Sequence, residues 1–372
     1  MMKKILYTLC LLLLLMLAST AFAEIKIKQM YGRDFIDYCY VGDLEKVKEG
    51  LSLGTNVNYT VEDEEDKGLT PLVAAILSSS ENKIEILRLL IEAGANVNSN
   101  QFNSGLTPLL IAIPKEDDLE VLKILLNSGA DVNYIVNEGK LKGLTPLISS
   151  LFNKTLKSPY STPLTSDIIT LLLNAGADVN HIGMYGDFMG LTPLLGTIRR
   201  AIEANDPAMI KGLISAGANV NYVAAEGKLK GFTPLLQAMN ALQDMAGSPE
   251  VTEVLLRSGA DVNYVALEGD KRGYSPLMLA AEGTKGKVLD VVRVLLRGGA
   301  DVNYIAVDGD KKGFSPLLVA AENASSPEVL EVLIKAGANV NYVETSSGAT
   351  ALSLAKENPA LRTSYILSKL GD

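Results

Sequence analysis

The stretch Gly259-Ala-Asp-Val-Asn-Tyr-Val-Ala-Leu-Glu-Gly-Asp-Lys-Arg-Gly-Tyr-Ser-Pro-Leu277 holds two phrases that recur along the chain. The first, Gly-x-Thr/Ser-Pro-Leu, begins at Gly68, Gly105, Gly143, Gly190, Gly231, Gly273 and Gly313, and a degenerate copy, Gly348-Ala-Thr-Ala-Leu, closes the series. The second, Gly-Ala-Asp/Asn-Val-Asn, begins at Gly94, Gly129, Gly176, Gly217, Gly259, Gly299 and Gly337, after a looser copy at Gly54. Successive first phrases lie 37, 38, 47, 41, 42, 40 and 35 residues apart. Self-similarity at such a period is the mark of stacked repeats. Thr or Ser before Pro is a helix start, since the hydroxyl caps and Pro occupies a first turn that needs no N–H. The Gly of the second phrase follows apolar segments such as Glu253-Val-Leu-Leu-Arg257, where it suits a left-handed helix C-cap. Each unit therefore reads as helix, loop, helix and an extended excursion. No unit can bury its apolar face alone, and stacking buries it.

These phrases resemble the signatures of the ankyrin repeat, in the family's order and from about Arg33 to the end of the chain. The resemblance implies an all-α repeat solenoid of helix-loop-helix units with projecting β-hairpin fingers. The expected organisation is a signal peptide over 1–23, a lead segment over 24–32 and a single domain of about nine units over 33–372, with caps at 33–67 and 348–372. Eighteen or so short helices follow, and Pro359 is expected to open the last of them. Where the family usually carries His after Thr-Pro-Leu, this chain has Val73, Leu110, Ile148, Leu195, Leu236, Met278 and Leu318. The polar ties of that histidine are thus lost, and apolar packing is expected in their place.

The fingers are long. Nine residues separate the last Asn of one phrase from the Gly of the next in six of eight gaps, about four more than the family's ordinary finger. In Asn263–Gly273 the pair Gly269-Asp270 is a natural two-residue turn. That turn predicts Glu268 opposite Lys271, Leu267 opposite Arg272 and Val265 opposite Tyr274. Alternation places Val265 and Leu267 on one face and Tyr264, Ala266 and Glu268 on the other. Equivalent pairings are Ile135 with Leu144, Val223 with Phe232 and Ile305 with Phe314.

Six tyrosines share one slot after the Asn: Tyr59, Tyr134, Tyr222, Tyr264, Tyr304 and Tyr342. His181, the chain's single histidine, holds the same slot. Two readings stay open. The rings form an aromatic binding stripe, since Tyr makes strong contacts at low entropic cost, or they stack and stiffen the fingers. The candidate partner-binding residues are Tyr134, His181, Tyr222, Tyr264, Tyr304 and Tyr342. Tyr160, in the Pro/Ser/Thr-rich insertion between Asn153 and Ser166, is a further candidate anchor.

Composition limits the chemistry. The 372 residues include one His, two Cys and no Trp, with 34 basic against 43 acidic side chains. A His/Cys zinc site lacks ligands, the serines have no base to activate them, and no glycine-rich phosphate cradle occurs. The Asp-Val-Asn triplets lack the remaining ligands of a calcium loop. Carboxylate pairs such as Glu64-Glu65 and Asp117-Asp118 lie in polar loops. Net charge −9 disfavours nucleic acid. No cofactor, metal or catalytic residue is expected, and the chain reads as a non-enzyme.

Lys3 and Lys4, the apolar run Ile5–Ala18 and Ala21-Phe22-Ala23 form the pattern of a secretory signal peptide. Cleavage is expected between Ala23 and Glu24. The mature chain then keeps only Cys39, a core thiol by its apolar neighbours, and has no further membrane span. The expected function is a monomeric protein-binding scaffold of the periplasm or extracellular space, with its partner on the concave finger and first-helix surface. The alternative is a structural or stress-protective envelope protein without one dedicated partner.

Overall fold

Repeated Thr/Ser-Pro steps set the helix starts. In the computed structural model, which describes residues 32–372 except 63–65, 101, 103–104, 115–118, 140, 153–162, 246, 285 and 372, the hydroxyl of every Gly-x-Thr/Ser-Pro-Leu phrase accepts the N–H three residues on. Thr192 accepts from Leu195 at 3.2 Å, Ser275 from Met278 at 3.3 Å and Ser315 from Leu318 at 3.2 Å. Second helices end as the sequence predicts. The N–H of Gly259 (φ 88°) donates to Leu256 O and that of Ala260 to Leu255 O, closing the helix end in a Schellman pattern.

The described residues divide into two compact units, which part between Ser150 and Leu151. The first holds α1 (32–41), α2 (Leu44–Ser52), α3 (Pro71–Leu77), α4 (Lys83–Glu92), α5 (Pro108–Ala112) and α6 (Leu119–Asn127). Helix α7 (Pro146–Phe152) straddles the division. The second unit holds α8 (Pro163–Asn174), α9 (Pro193–Glu203), α10 (Ala208–Ser215), α11 (Pro234–Asn240), α12 (Pro249–Arg257), α13 (Pro276–Ala281), α14 (Val288–Arg297), α15 (Pro316–Asn323), α16 (Pro327–Lys335), α17 (Ala351–Glu357) and α18 (Ile366–Gly371). Within it, α9, α11, α13, α15 and α17 pack side by side as one layer, and α10, α12, α14, α16 and α18 form the other. In the first unit, α3 with α5 and α2 with α4 and α6 repeat the arrangement.

The core is aliphatic. Leu255, Leu277, Val292, Leu295, Leu318 and Leu333 are buried, each contributing about 1.5–3 kcal/mol on full burial. Val73, Leu110, Ile148, Leu195, Leu236, Met278 and Leu318, which stand where the related repeats carry His, are all buried. Apolar packing does replace the polar ties. Three first helices, α11, α13 and α15, are covered almost all round. All six residues of α13 are buried, as are the first six of α15 and of α11, the condition of a helix covered all round.

Two local expectations change. Pro359 does not open the last helix, which begins at Ile366. Asn358 holds the chain in turns there, accepting the Ala360 N–H at 2.9 Å while its amide donates to the carbonyls of Ala321, Glu322 and Ala324 at 3.0–3.2 Å. The fingers are also not two-stranded ladders. Among the described residues no strand forms, and Phe102 with Leu106 and Val343 with Thr350 make isolated bridges. Residues 1–31, with Ala23 and Glu24, and the insertion carrying Tyr160 lie outside the described residues, as do Glu64, Glu65, Asp117 and Asp118.

Candidate functional site

The six long fingers each close at the base around one buried residue. In the finger 263–273, Ala266 N–H donates to Tyr274 O at 3.1 Å and Gly273 N–H donates to Ala266 O at 2.7 Å. Two residues thus oppose one, and the first of them is a glycine at φ 84°, which is a glycine-type β-bulge. The same pair of bonds recurs at Val61, Val136, Gly183, Ala224 and Ala306. The bulge shifts the register, so Val265 does not face Tyr274. Tyr274 is fully buried while Val265 stays half-exposed. Beyond the bulge the tip is two overlapping turns, Arg272 N–H to Gly269 O and Tyr274 N–H to Lys271 O, which leaves no room for a longer ladder.

Adjacent fingers of the second unit touch backbone to backbone. A Cβ on Gly273 would lie 2.0 Å from Asp308 O, and one on Gly309 would lie 2.0 Å from Arg272 O. Neither approach leaves space for any side chain. The contact repeats one finger earlier, between Gly231 and Glu268 O and between Gly269 and Lys230 O. At the end of the row Glu344 stands in for a finger. Its carboxylate fills the space above Gly313, 2.6 Å from where a Cβ would be. Ser346 and Ser347 hold it there with backbone N–H and hydroxyl donors at 2.6–2.8 Å, which lowers its pKa to about 2.

The final Asn of the second phrase, given no role by the sequence reading, ties unit to unit. Asn263 Nδ2 donates to Gly299 O at 3.1 Å, and its Oδ1 accepts the Asp301 N–H at 2.8 Å. Asn58, Asn98, Asn180, Asn221 and Asn303 make the same two bonds to the unit that follows. Asp261 accepts the Asn263 N–H at 2.9 Å. The Asp/Asn–x–Asn pattern therefore encodes a turn plus a bridge. Spacing by whole repeats was the available signal.

The tyrosine slot recurs from finger to finger of the second unit, with its hydroxyls engaged. Tyr222, Tyr264, Tyr304 and Tyr342 donate to the carbonyls of Gly190, Gly231, Gly273 and Gly313 at 3.2, 3.2, 3.0 and 2.8 Å. Each acceptor is the bulge glycine of the finger before. Burial pushes the pKa of Tyr222, Tyr264 and Tyr304 above the ordinary 10.0. Tyr134 accepts from the Asn100 amide at 3.0 Å, and the Tyr59 ring lies against Gly32. His181 is half-buried, with its Nε2 buried and without a hydrogen-bond partner. Burial outweighs the pull of Asp178 and holds its pKa below 6.5, so the ring is neutral at neutral pH. The bracing reading describes these contacts.

What the fingers expose is aliphatic. Val265 and Leu267 flank the buried Ala266 and point away from it, and Leu267 is 73% exposed. Val307 is 74% exposed, and Ile182, Met184, Val223 and Val343 are exposed in the other fingers of the same unit. The alternation was legible in the sequence; its solvent-facing lane was not read as a surface. The tip charges pair differently from expectation. Glu268 meets Lys230 of the preceding finger at 3.0 Å, Arg272 meets Asp308 of the next, and Lys271 turns inward to Glu282 at 2.8 Å. No group of three or more His, Cys, Asp or Glu side chains among the described residues is placed to hold a metal.

A family model described as ankyrin repeats matches in three copies, over residues 35–136, 198–306 and 239–344. The chain belongs to the ankyrin-repeat family. Ankyrin repeats generally mediate protein–protein interaction, and members of the family are typically non-enzymatic interaction scaffolds. Among solved structures, the crystal structure of the human ASB11 ankyrin repeat domain is similar, at 23% identity over 71% of this chain and 96% of that one, with a TM-score of 0.47. No curated protein matches the chain. Among the described residues no helix of this ankyrin-repeat protein is long and apolar enough to cross a membrane.

Proposed function

We propose that this ankyrin-repeat protein is an exported, non-catalytic scaffold that binds a protein partner through the outward face of its fingers, in the periplasm or outside the cell. One observation carries the choice of surface. First helices α11, α13 and α15 are covered, the tyrosine hydroxyls are engaged within the row, and an aliphatic lane through Val223, Leu267, Val307 and Val343 is left facing solvent. Exposed apolar lanes rimmed by polar residues are the usual mark of an interaction surface. The partner therefore meets finger side chains rather than a groove of first helices. Export rests on the leader-like sequence ending in Ala21-Phe22-Ala23.

A pulldown from envelope and secreted fractions tests the reading. A stoichiometric partner retained by the wild type and by Tyr264→Phe, but lost by Leu267→Asp with Val307→Asp, is the expected result. The absence of any stoichiometric partner would favour a structural role instead. Mass analysis of the exported protein is expected to give Glu24 as its first residue, and a retained Met1 would reject the cleavage.

A further inference from the structure

Carboxylates bracket the aliphatic pair of two successive fingers. Asp261 and Asp270 flank Val265 and Leu267 in the chain, and Asp301 and Asp310 flank Ile305 and Val307. All four carboxylates are exposed. None of the four has an ion-pair partner among the described residues. Asp261 and Asp301 use Oδ1 to accept the N–H of Asn263 and Asn303 at 2.9 Å, which fixes their position. The basic side chains of the same region are engaged inside the molecule. Lys230 is on Glu268, Arg272 on Asp308, Lys271 on Glu282 and Lys311 on Glu322. Of the basic side chains in these two fingers, Lys312 lacks a carboxylate partner among the described residues. The two fingers thus combine an exposed aliphatic strip with a surplus of exposed carboxylates.

We propose that this face, over residues 261–313, takes a basic, apolar polypeptide segment. Its aliphatic side chains lie over Leu267 and Val307, and its Lys or Arg side chains reach Asp261, Asp270, Asp301 and Asp310. The inference rests on the fingers being the binding surface and adds the class of partner. Apolar contact supplies the affinity, and the carboxylates set orientation and association rate. An acidic segment, an anionic membrane surface or a nucleic acid would meet like charge. A purely apolar ligand would leave the four carboxylates beside a dry contact without partners, at a desolvation cost.

The test uses the full chain and three labelled synthetic peptides of equal length, with alternating Leu/Lys, Leu/Glu and Ser/Lys, followed by fluorescence anisotropy. The Leu/Lys peptide is expected to bind at least about tenfold more tightly than the other two. Leu267→Ser with Val307→Ser should weaken it by about tenfold or more, and Asp270→Asn with Asp310→Asn by about fivefold, with less salt dependence remaining. All four substituted side chains are exposed, and circular dichroism verifies that the variants stay folded. Equal binding of Leu/Glu that is lost in the serine variant would overturn the basic class and leave the finger surface standing. Equal binding of Ser/Lys, binding indifferent to the serine pair, or no binding at all would overturn both.

Discussion

The hydroxyl of Tyr304 donates to the carbonyl oxygen of Gly273 at 3.0 Å, and Gly273 is the residue at which the preceding finger bulges. One side chain therefore locks the base of one finger to the irregular point of its neighbour. The same bond is made by Tyr222, Tyr264 and Tyr342, so the slot is a set of braces whose loss falls first on stability.

Tyr304→Phe removes the donor and leaves a carbonyl short of a partner. The expected loss is about 1 kcal/mol, seen as a melting temperature lower by about 2–4 °C in a unit of this size. Partner affinity of the folded fraction should not change. An unchanged melting temperature with about tenfold weaker binding would make the ring a ligand contact instead.

Gly273→Ala and Gly259→Ala separate two effects. Both positions are left-handed, at φ 84° and 88°, and each substitution carries a conformational cost of about 1–2 kcal/mol. Gly259 has open space around it, whereas the new methyl at Gly273 would meet Asp308 O at 2.0 Å. Urea midpoints should show Gly273→Ala to be clearly the more destabilising, and equal midpoints would mean that the fingers do not touch.

Glu344 gives an acid-sensitive joint. Hydrogen bonds from Ser346 and Ser347 hold its pKa at about 2, against an ordinary 4.5. A depressed carboxylate stabilises the fold above its unfolded value, and that contribution drains away as pH falls from 4.5 towards 2. Glu344→Gln should be less stable than the wild type at neutral pH and lose less on acidification through this window. Parallel pH profiles for the two proteins would contradict it.

Cys39 is fully buried, and burial pushes its thiol up to about 12. Native protein should not react with iodoacetamide at neutral pH, because the thiolate is absent and the sulfur is covered. Labelling is expected only when denaturant opens the first unit; rapid labelling without denaturant would place the thiol on the surface.

Helix starts, helix ends and the apolar replacement of the family histidine were legible because each depends on neighbours in sequence. Ser275 caps its own helix, and Gly259 ends its own. The finger register was not legible. A bulge at Gly273 replaces the simple hairpin counted from Gly269-Asp270, and nothing within one finger reveals that Asp308 O will press against that glycine. The tip charges failed for the same reason. Glu268 has Lys271 nearby in sequence, but the finger before offers Lys230, and Lys271 is drawn to Glu282. The recurrence of the tyrosines was legible, while the target of their hydroxyls lies about one repeat back and is set by the stacking of neighbouring fingers.

The glycine contacts fix how far apart neighbouring fingers of the second unit stand. Since Gly273 meets Asp308 O and Gly309 meets Arg272 O through main chain alone, that pitch is independent of what the outward positions carry. Val265, Leu267, Ile305 and Val307 act as interchangeable marks on a ruler whose divisions are cut in the backbone. Under the proposed function, exchanging the marks would retune which ligand is recognised and leave the spacing at which it is gripped unaltered.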